Sequence, residues 1–132
     1  MFSALLFRGI CAGAGMTLAA LGSVPAVKAQ ATASDFNSHC ATCHSAQADK
    51  NGVGPSLAGI YGSTSGTVPG YAFSPGMKNA QIVWDDQTLD KFLQNPNGTV
   101  HGSKMFATVP DATTRQRIIA YLQELKPQAA AK

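Results

Sequence analysis

Cys40-Ala41-Thr42-Cys43-His44 is the stretch on which the reading of this chain turns. Two thiols separated by two residues can add across the two vinyl groups on one edge of a porphyrin. The histidine that follows then lies beneath the metal, so Cys-x-x-Cys-His reads as covalent haem attachment. Two other chemistries use paired cysteines. A thioredoxin-like redox pair needs a preceding strand in a βαβ setting, and no such pattern precedes Cys40. A zinc site needs a second Cys or His pair at similar spacing, whereas His39 and His101 are isolated.

A bound porphyrin also accounts for the middle of the chain. From Ser45 to Val83 the sequence is mostly turn chemistry, with Gly52, Gly54-Pro55, Gly59, Gly62, Gly66, Pro69-Gly70 and Pro75-Gly76 punctuating it. So long a stretch with so little regular structure does not suit an ordinary compact domain. It does suit loops that wrap a large apolar cofactor, which then serves as the interior they lack. Around this middle lie three helical segments. The first starts near Thr32 or Ser34, carries Asp35 in its first turn, is anchored by Phe36 and runs into the cysteines. The second opens at Asp85 and Asp86, repeats Leu89, Phe92 and Leu93 at helical spacing, and closes at Asn95-Pro96. The third starts beside Pro110-Asp111, presents Ile118, Tyr121, Leu122 and Leu125 on one face and ends at Pro127, with Arg115 and Arg117 expected in solvent. No strand pattern competes, so the expected fold class is all-α: helices and long loops around one covalently bound haem.

The N-terminal stretch has a different character. Arg8 is the only charge before Lys28, and Gly9 to Val27 is rich in Ala, Gly and Leu and broken by Pro25. A basic start, an apolar middle and small residues at Val27-Lys28-Ala29, Ala29-Gln30-Ala31 and Ala31-Thr32-Ala33 form the layout of a secretory signal peptide. The expectation is a signal over residues 1–29, cut after Ala29, Ala31 or Ala33, followed by a single domain over residues 30–132. The alternative is an uncleaved membrane anchor, since the apolar run just approaches the roughly twenty residues that span a bilayer. Cutting after Ala29 removes Arg8 and Lys28 and lowers the formal charge from +3 to +1. So small an excess offers little to nucleic acid or an anionic membrane. Cys40 and Cys43 share one short run, so no disulfide framework spans the domain, and the thioether-bound porphyrin must act as the staple.

Iron held by His44 needs a second protein ligand if it is to transfer electrons without binding oxygen or substrate. A thioether is a soft neutral donor that favours ferrous iron. Met77, Met105 and His101 are the candidates, and either methionine could equally be core filling.

A run of ordered matches carries the reading further. Phe36 stands four residues before the attachment run. It is followed by Gly54-Pro55-Ser56-Leu57, Gly70-Tyr71, Lys78-Asn79 with Trp84 beyond, Thr88-Leu89 with Leu93-Gln94-Asn95-Pro96, Gly102-Ser103-Lys104-Met105, and Ile118 to Leu122. In these the sequence resembles a class I c-type cytochrome of the mitochondrial and soluble bacterial kind. The resemblance implies that Met105 is the sixth ligand, so that His44 and Met105 hold the metal. It implies that the Pro55 carbonyl fixes the other ring nitrogen of His44, that Trp84 donates to a haem propionate, and that Phe36 packs on Tyr121. The chain also departs from the family. Phe73 and Phe92 stand where tyrosines are common, Met77 replaces an asparagine and His101 a proline, Ala107 stands where an aromatic often covers the haem edge, and Thr32 replaces a glycine.

The expected function is that of an exported electron-transfer protein with one haem c and no enzymatic activity. Its expected location is the periplasm, or the membrane through an uncleaved N-terminal segment. Its partners would be other redox proteins: membrane cytochrome complexes, an oxidase, a photosynthetic centre or a periplasmic dehydrogenase, met briefly by a monomer. Few lysines, Lys50, Lys78, Lys91 and Lys104, lie mid-domain, so steering by charge should be modest. The rival reading is an open-site haem protein, a gas sensor or weak peroxidase in which Met105 releases the iron.

Overall fold

The computed structural model describes residues 33–125 and 127. The expected signal segment over residues 1–29 and the Thr32 substitution lie outside the described residues. The architecture is all-α, with no named strand and one isolated antiparallel bridge, Thr64 to Val83, among the described residues.

Helix α1, residues 33–39, passes directly into the attachment run, because Cys40 N–H donates to the Phe36 carbonyl at 2.8 Å and His44 N–H to the Cys40 carbonyl at 2.9 Å. The Cys-x-x-Cys-His segment is therefore a coiled turn continuing the helix. Two short helices divide the loops. Helix α2, Pro75–Asn79, starts where Ser74 Oγ accepts from Met77 N–H and Pro75 supplies a preset φ in the first turn. Helix α4, Pro96–Thr99, starts the same way, with Asn95 Oδ1 accepting from Gly98 N–H at 3.0 Å. Both correct the sequence reading, in which Pro75-Gly76 marks a turn and Asn95-Pro96 only an end.

Between them α3, Asp86–Gln94, opens on a capping box. Asp85 accepts from Thr88 N–H at 2.8 Å while Thr88 Oγ1 accepts from Asp85 N–H at 2.8 Å. Helix α5, Ala112–Glu124, is capped by Asp111, whose Oδ1 accepts from Thr114 N–H at 2.7 Å. Leu89, Phe92 and Leu93 of α3 meet Ile118, Ile119 and Leu122 of α5 in the buried core, with Ile118 fully buried. Phe36 crosses onto Tyr121 with ring centroids 5.0 Å apart, and Asp35 pairs with Arg117, so α1 and α5 are joined by both an aromatic and an ionic contact.

Arg115 corrects the expectation that both arginines sit in solvent. It is buried, donates from Nε to Asp90 Oδ1 at 2.7 Å, and sends Nη1 to the carbonyls of Val109 at 3.0 Å and Pro110 at 2.7 Å. Residues 115, 118 and 122 fall on one helical stripe, so the arginine follows the apolar face inward. Its planar fork finds three acceptor groups there, the Asp90 carboxylate and the two carbonyls.

Candidate functional site

The helices and loops enclose a cavity of about 560 Å³. Cys40, Cys43 and His44 form one wall, Gly54, Pro55, Leu57 and Ile60 the loop beside it, and Trp84, Leu89, Phe92 and Leu93 a largely apolar flank. Met77 comes from α2, and Ser103 to Ala107 close the remaining side. A second hollow of about 550 Å³ lies over α3 and α5, but its lining of Asp86, Gln87, Asp90, Lys91, Gln116 and Gln123 with Ile119 and Ala120 holds no thiol, thioether or imidazole.

The histidine is fixed from two directions. His44 Nδ1 lies 2.7 Å from the Pro55 carbonyl oxygen. A carbonyl can only accept, so the ring proton belongs on Nδ1, and the Nε2 lone pair is left free for a metal. Gly54 lets its backbone close on the ring: a β-carbon there would reach 2.6 Å from Nδ1 and 2.8 Å from Nε2. Gly54 N–H in turn donates to the Cys43 carbonyl at 2.8 Å. The loop is stitched by Asn51, which accepts from Ser56 N–H at 2.9 Å and donates to the Pro69 carbonyl at 3.0 Å, and by Tyr71, whose hydroxyl donates to the Val53 carbonyl at 2.7 Å.

Both cysteines are free, Cys40 buried and Cys43 exposed. Before attachment, burial pushes the Cys40 thiol up to about 11. A redox-active dithiol is tuned the other way, towards thiolate. Among the described residues no cluster of three or more His, Cys, Asp or Glu forms a metal site.

The other sequence candidates separate into two groups. Met105, Met77, Trp84, Phe73 and Phe92 all line the cavity, with Trp84 tilted against Phe92 at 4.9 Å and Phe73 edge-on to Tyr71 at 4.8 Å. His101 is exposed and contributes nothing to the lining. Phe106 is 82% exposed beside Met105, leaving an apolar ring at the cavity mouth. Trp84 is placed by a short ladder in which Gly62 N–H donates to its carbonyl at 2.7 Å and its own N–H to Ser63 at 2.9 Å. Sequence reasoning missed Asn97 and Ser103 as supports of Met105. Asn97 Nδ2 donates to the Met105 carbonyl at 3.3 Å, and Ser103 Oγ accepts from Met105 N–H at 3.2 Å. Asn97 reads in sequence only as part of a flexible Asn-Gly pair, and no spacing rule signals its partner.

The donor set suits a haem. One imidazole nitrogen is left free by the carbonyl that holds the other, a thioether shares the cavity, two thiols separated by two residues in the chain line it, and the walls are mainly aromatic and aliphatic.

Comparison with known proteins agrees. The family model described as cytochrome c matches residues 29–126. Cytochrome c of Euglena viridis is 53% identical over 92 residues, 69% of this chain and 90% of the relative. Cytochrome c2 iso-2 of Magnetospirillum fulvum is 46% identical over 87 residues, 65% of this chain and 91% of the relative. Among solved structures, cytochrome cH from Methylobacterium extorquens matches with a TM-score of 0.66 at 39% identity, covering 73% of this chain and 97% of that one.

Proposed function

We propose, since the chain belongs to the cytochrome c family as a class I c-type cytochrome carrying one covalently bound haem c, that it is an exported carrier of single electrons between redox proteins of the periplasm. In this reading Cys40 and Cys43 hold the porphyrin through thioethers, His44 Nε2 and Met105 Sδ ligate the iron, and Trp84 turns its indole N–H to a propionate. The bound haem supplies an iron that accepts and returns one electron.

The observation that carries the proposal is the His44 to Pro55 contact of 2.7 Å. It supports a ring held in orientation with its proton on Nδ1 and its other nitrogen available to a metal, as a permanent ligand requires. Leu57, Leu89, Phe92 and Leu93 give the cavity an apolar lining, which would leave little solvent to reorganise around the haem when the charge changes. Phe106 and Val53, exposed at the mouth, offer an apolar contact for brief docking of a partner.

Expression in a host competent for cytochrome maturation tests the whole reading. The product should be red, heavier than the processed chain by one haem, periplasmic, and titrate as a single one-electron couple. Its ferric spectrum should carry the weak red absorption band of a methionine–iron bond. Colourless folded protein without the added mass refutes the attachment, and protein retained in the membrane fraction favours an uncleaved anchor. A second reading draws on Phe92, which presents no hydroxyl to the cavity where Met105 lies. Met105 would then leave the iron open to a small gas or a peroxide, and rapid carbon monoxide binding by the ferrous protein would establish that reading instead.

A further inference from the structure

We propose that Gly76 and Asn97 are positioning residues for Met105, which hold the segment from His101 to Met105 from two separate helices. The inference rests on Met105 being the iron ligand, as proposed above.

Gly76 occupies the second position of α2, where alanine is the better helix former and the backbone is not left-handed. Conformation therefore does not call for glycine there, but space does. A β-carbon at Gly76 would overlap the His101 carbonyl oxygen, reach 3.1 Å from its carbon and lie 3.6 Å from the Gly102 carbonyl carbon. The obstructing atoms are backbone, so no side-chain rotation relieves the clash and the turn itself must move. Helix α2 has little room to retreat. Ser74 caps it, and Gly66 packs so closely behind it that a β-carbon on Gly66 would lie 2.8 Å from Lys78 Cα.

The displaced turn leads straight to the thioether. Ser103 N–H closes it on the Val100 carbonyl at 3.0 Å, and Ser103 Oγ accepts from Met105 N–H at 3.2 Å. From the other side Asn97 Nδ2 reaches the Met105 carbonyl at 3.3 Å. Asn97 sits in α4, whose first residue, Pro96, is fully buried and whose Gly98 N–H is held by Asn95. Helices α2 and α4 thus grip the segment at its start and its end. A neutral thioether is a weak ligand, and a scaffold that presents it without further ordering favours it over any free ligand.

The test uses ferric holoprotein with Gly76→Ala and with Asn97→Asp, which keeps the size of Asn97 and removes its donor. Met105→Ala is the reference for ligand loss. Asp111→Ala, which removes a remote helix cap, is the control for destabilisation. The readouts are the red methionine–iron band and the apparent dissociation constant of added imidazole. Imidazole should bind about five-fold more tightly to Asn97→Asp, the worth of one net hydrogen bond. For Gly76→Ala the gain should be about ten-fold or more, and the band should weaken in both variants while haem stays attached. Asp111→Ala should melt earlier with the band and imidazole affinity unchanged. If the two positioning variants also only melt earlier, the inference is overturned. Should Gly76→Ala fail to mature, Asn97→Asp decides alone. A wild-type spectrum identical to that of Met105→Ala refutes Met105 ligation itself, and this inference with it, whereas a normal wild-type band unaltered in both variants refutes the positioning role only.

Discussion

Replacing Arg115 with Met keeps most of the stem volume and removes a buried fork that serves three acceptors. The largest cost falls on the Val109 carbonyl, because Val109 is buried and loses a charged donor at 3.0 Å. A stranded acceptor of this kind costs about 1–3 kcal/mol. Pro110 is exposed, so water can replace the bond to its carbonyl. The Asp90 side chain is 38% exposed, which screens the lost ion pair to roughly 0.5–1 kcal/mol. Together these give a loss of about 1.5–4 kcal/mol, to be read from denaturant unfolding of the ferric holoprotein at constant m-value. Asp90→Asn leaves both carbonyl bonds in place and should cost about 1 kcal/mol or less. Arg115→Lys should fall between them, since one ammonium cannot serve the same fork. The reasoning is refuted if Arg115→Met lies within about 0.5 kcal/mol of wild type, the range of an ordinary surface change. It is equally refuted if Asp90→Asn costs as much as Arg115→Met, because the ion pair and not the carbonyls would then be the source.

Further outcomes follow from the core, the caps and the attachment run. Ile118, with no exposure, should lose about 0.5–1.5 kcal/mol on change to Val and about 2–5 kcal/mol on change to Ala, measured by the same unfolding assay. The Asp85 carboxyl is held below its ordinary value of 3.8 by Thr88 N–H and the Thr88 hydroxyl, and Asp111 likewise by the Thr114 hydroxyl and N–H. Their contribution is full above the ordinary value and disappears as pH falls through the lowered one. The Asp85→Asn, Asp111→Asn pair, which keeps both caps, should therefore lose less stability than wild type between about pH 5 and about pH 2. Cys43→Ala should yield protein with at most one thioether, whose haem partly extracts into acidic organic solvent while the wild-type haem does not.

The site was more legible in the sequence than the scaffold around it. Cysteine spacing followed by histidine states a chemistry outright, and helical periodicity alone places Leu89, Phe92, Ile118 and Leu122, whereas Phe36 reads only as a lone apolar anchor whose partner the resemblance supplies. The capping residues Asp85 and Asp111 marked two helix starts because their carboxylates act locally. Helices α2 and α4 were hidden because proline and glycine punctuate turns and helix starts alike. What distinguishes them is the Ser74 or Asn95 cap just upstream. Arg115 reads as solvated because its charge outweighs its position on the Ile118 stripe, while its acceptors, Asp90 and two backbone carbonyls, become visible only in three dimensions. The contact of Gly76 with His101 has no sequence signature, since it joins two segments through the absence of a side chain.

The crossing of α1 and α5 has a consequence for how the polypeptide could be rewired. Asp35 and Arg117 meet although they are 82 positions apart, so one of the widest loops in the domain must close before the two helices touch. Tying the ends together through a short flexible connector and opening the backbone at the exposed Pro69-Gly70 bend would turn that distant encounter into a neighbourly one. Such a permuted chain should keep the same contacts and close the α1–α5 crossing sooner, while the bonds of Gly62 to Trp84 and Tyr71 to Val53 become the distant ones, because the order of the thread is separable from the shape it winds into.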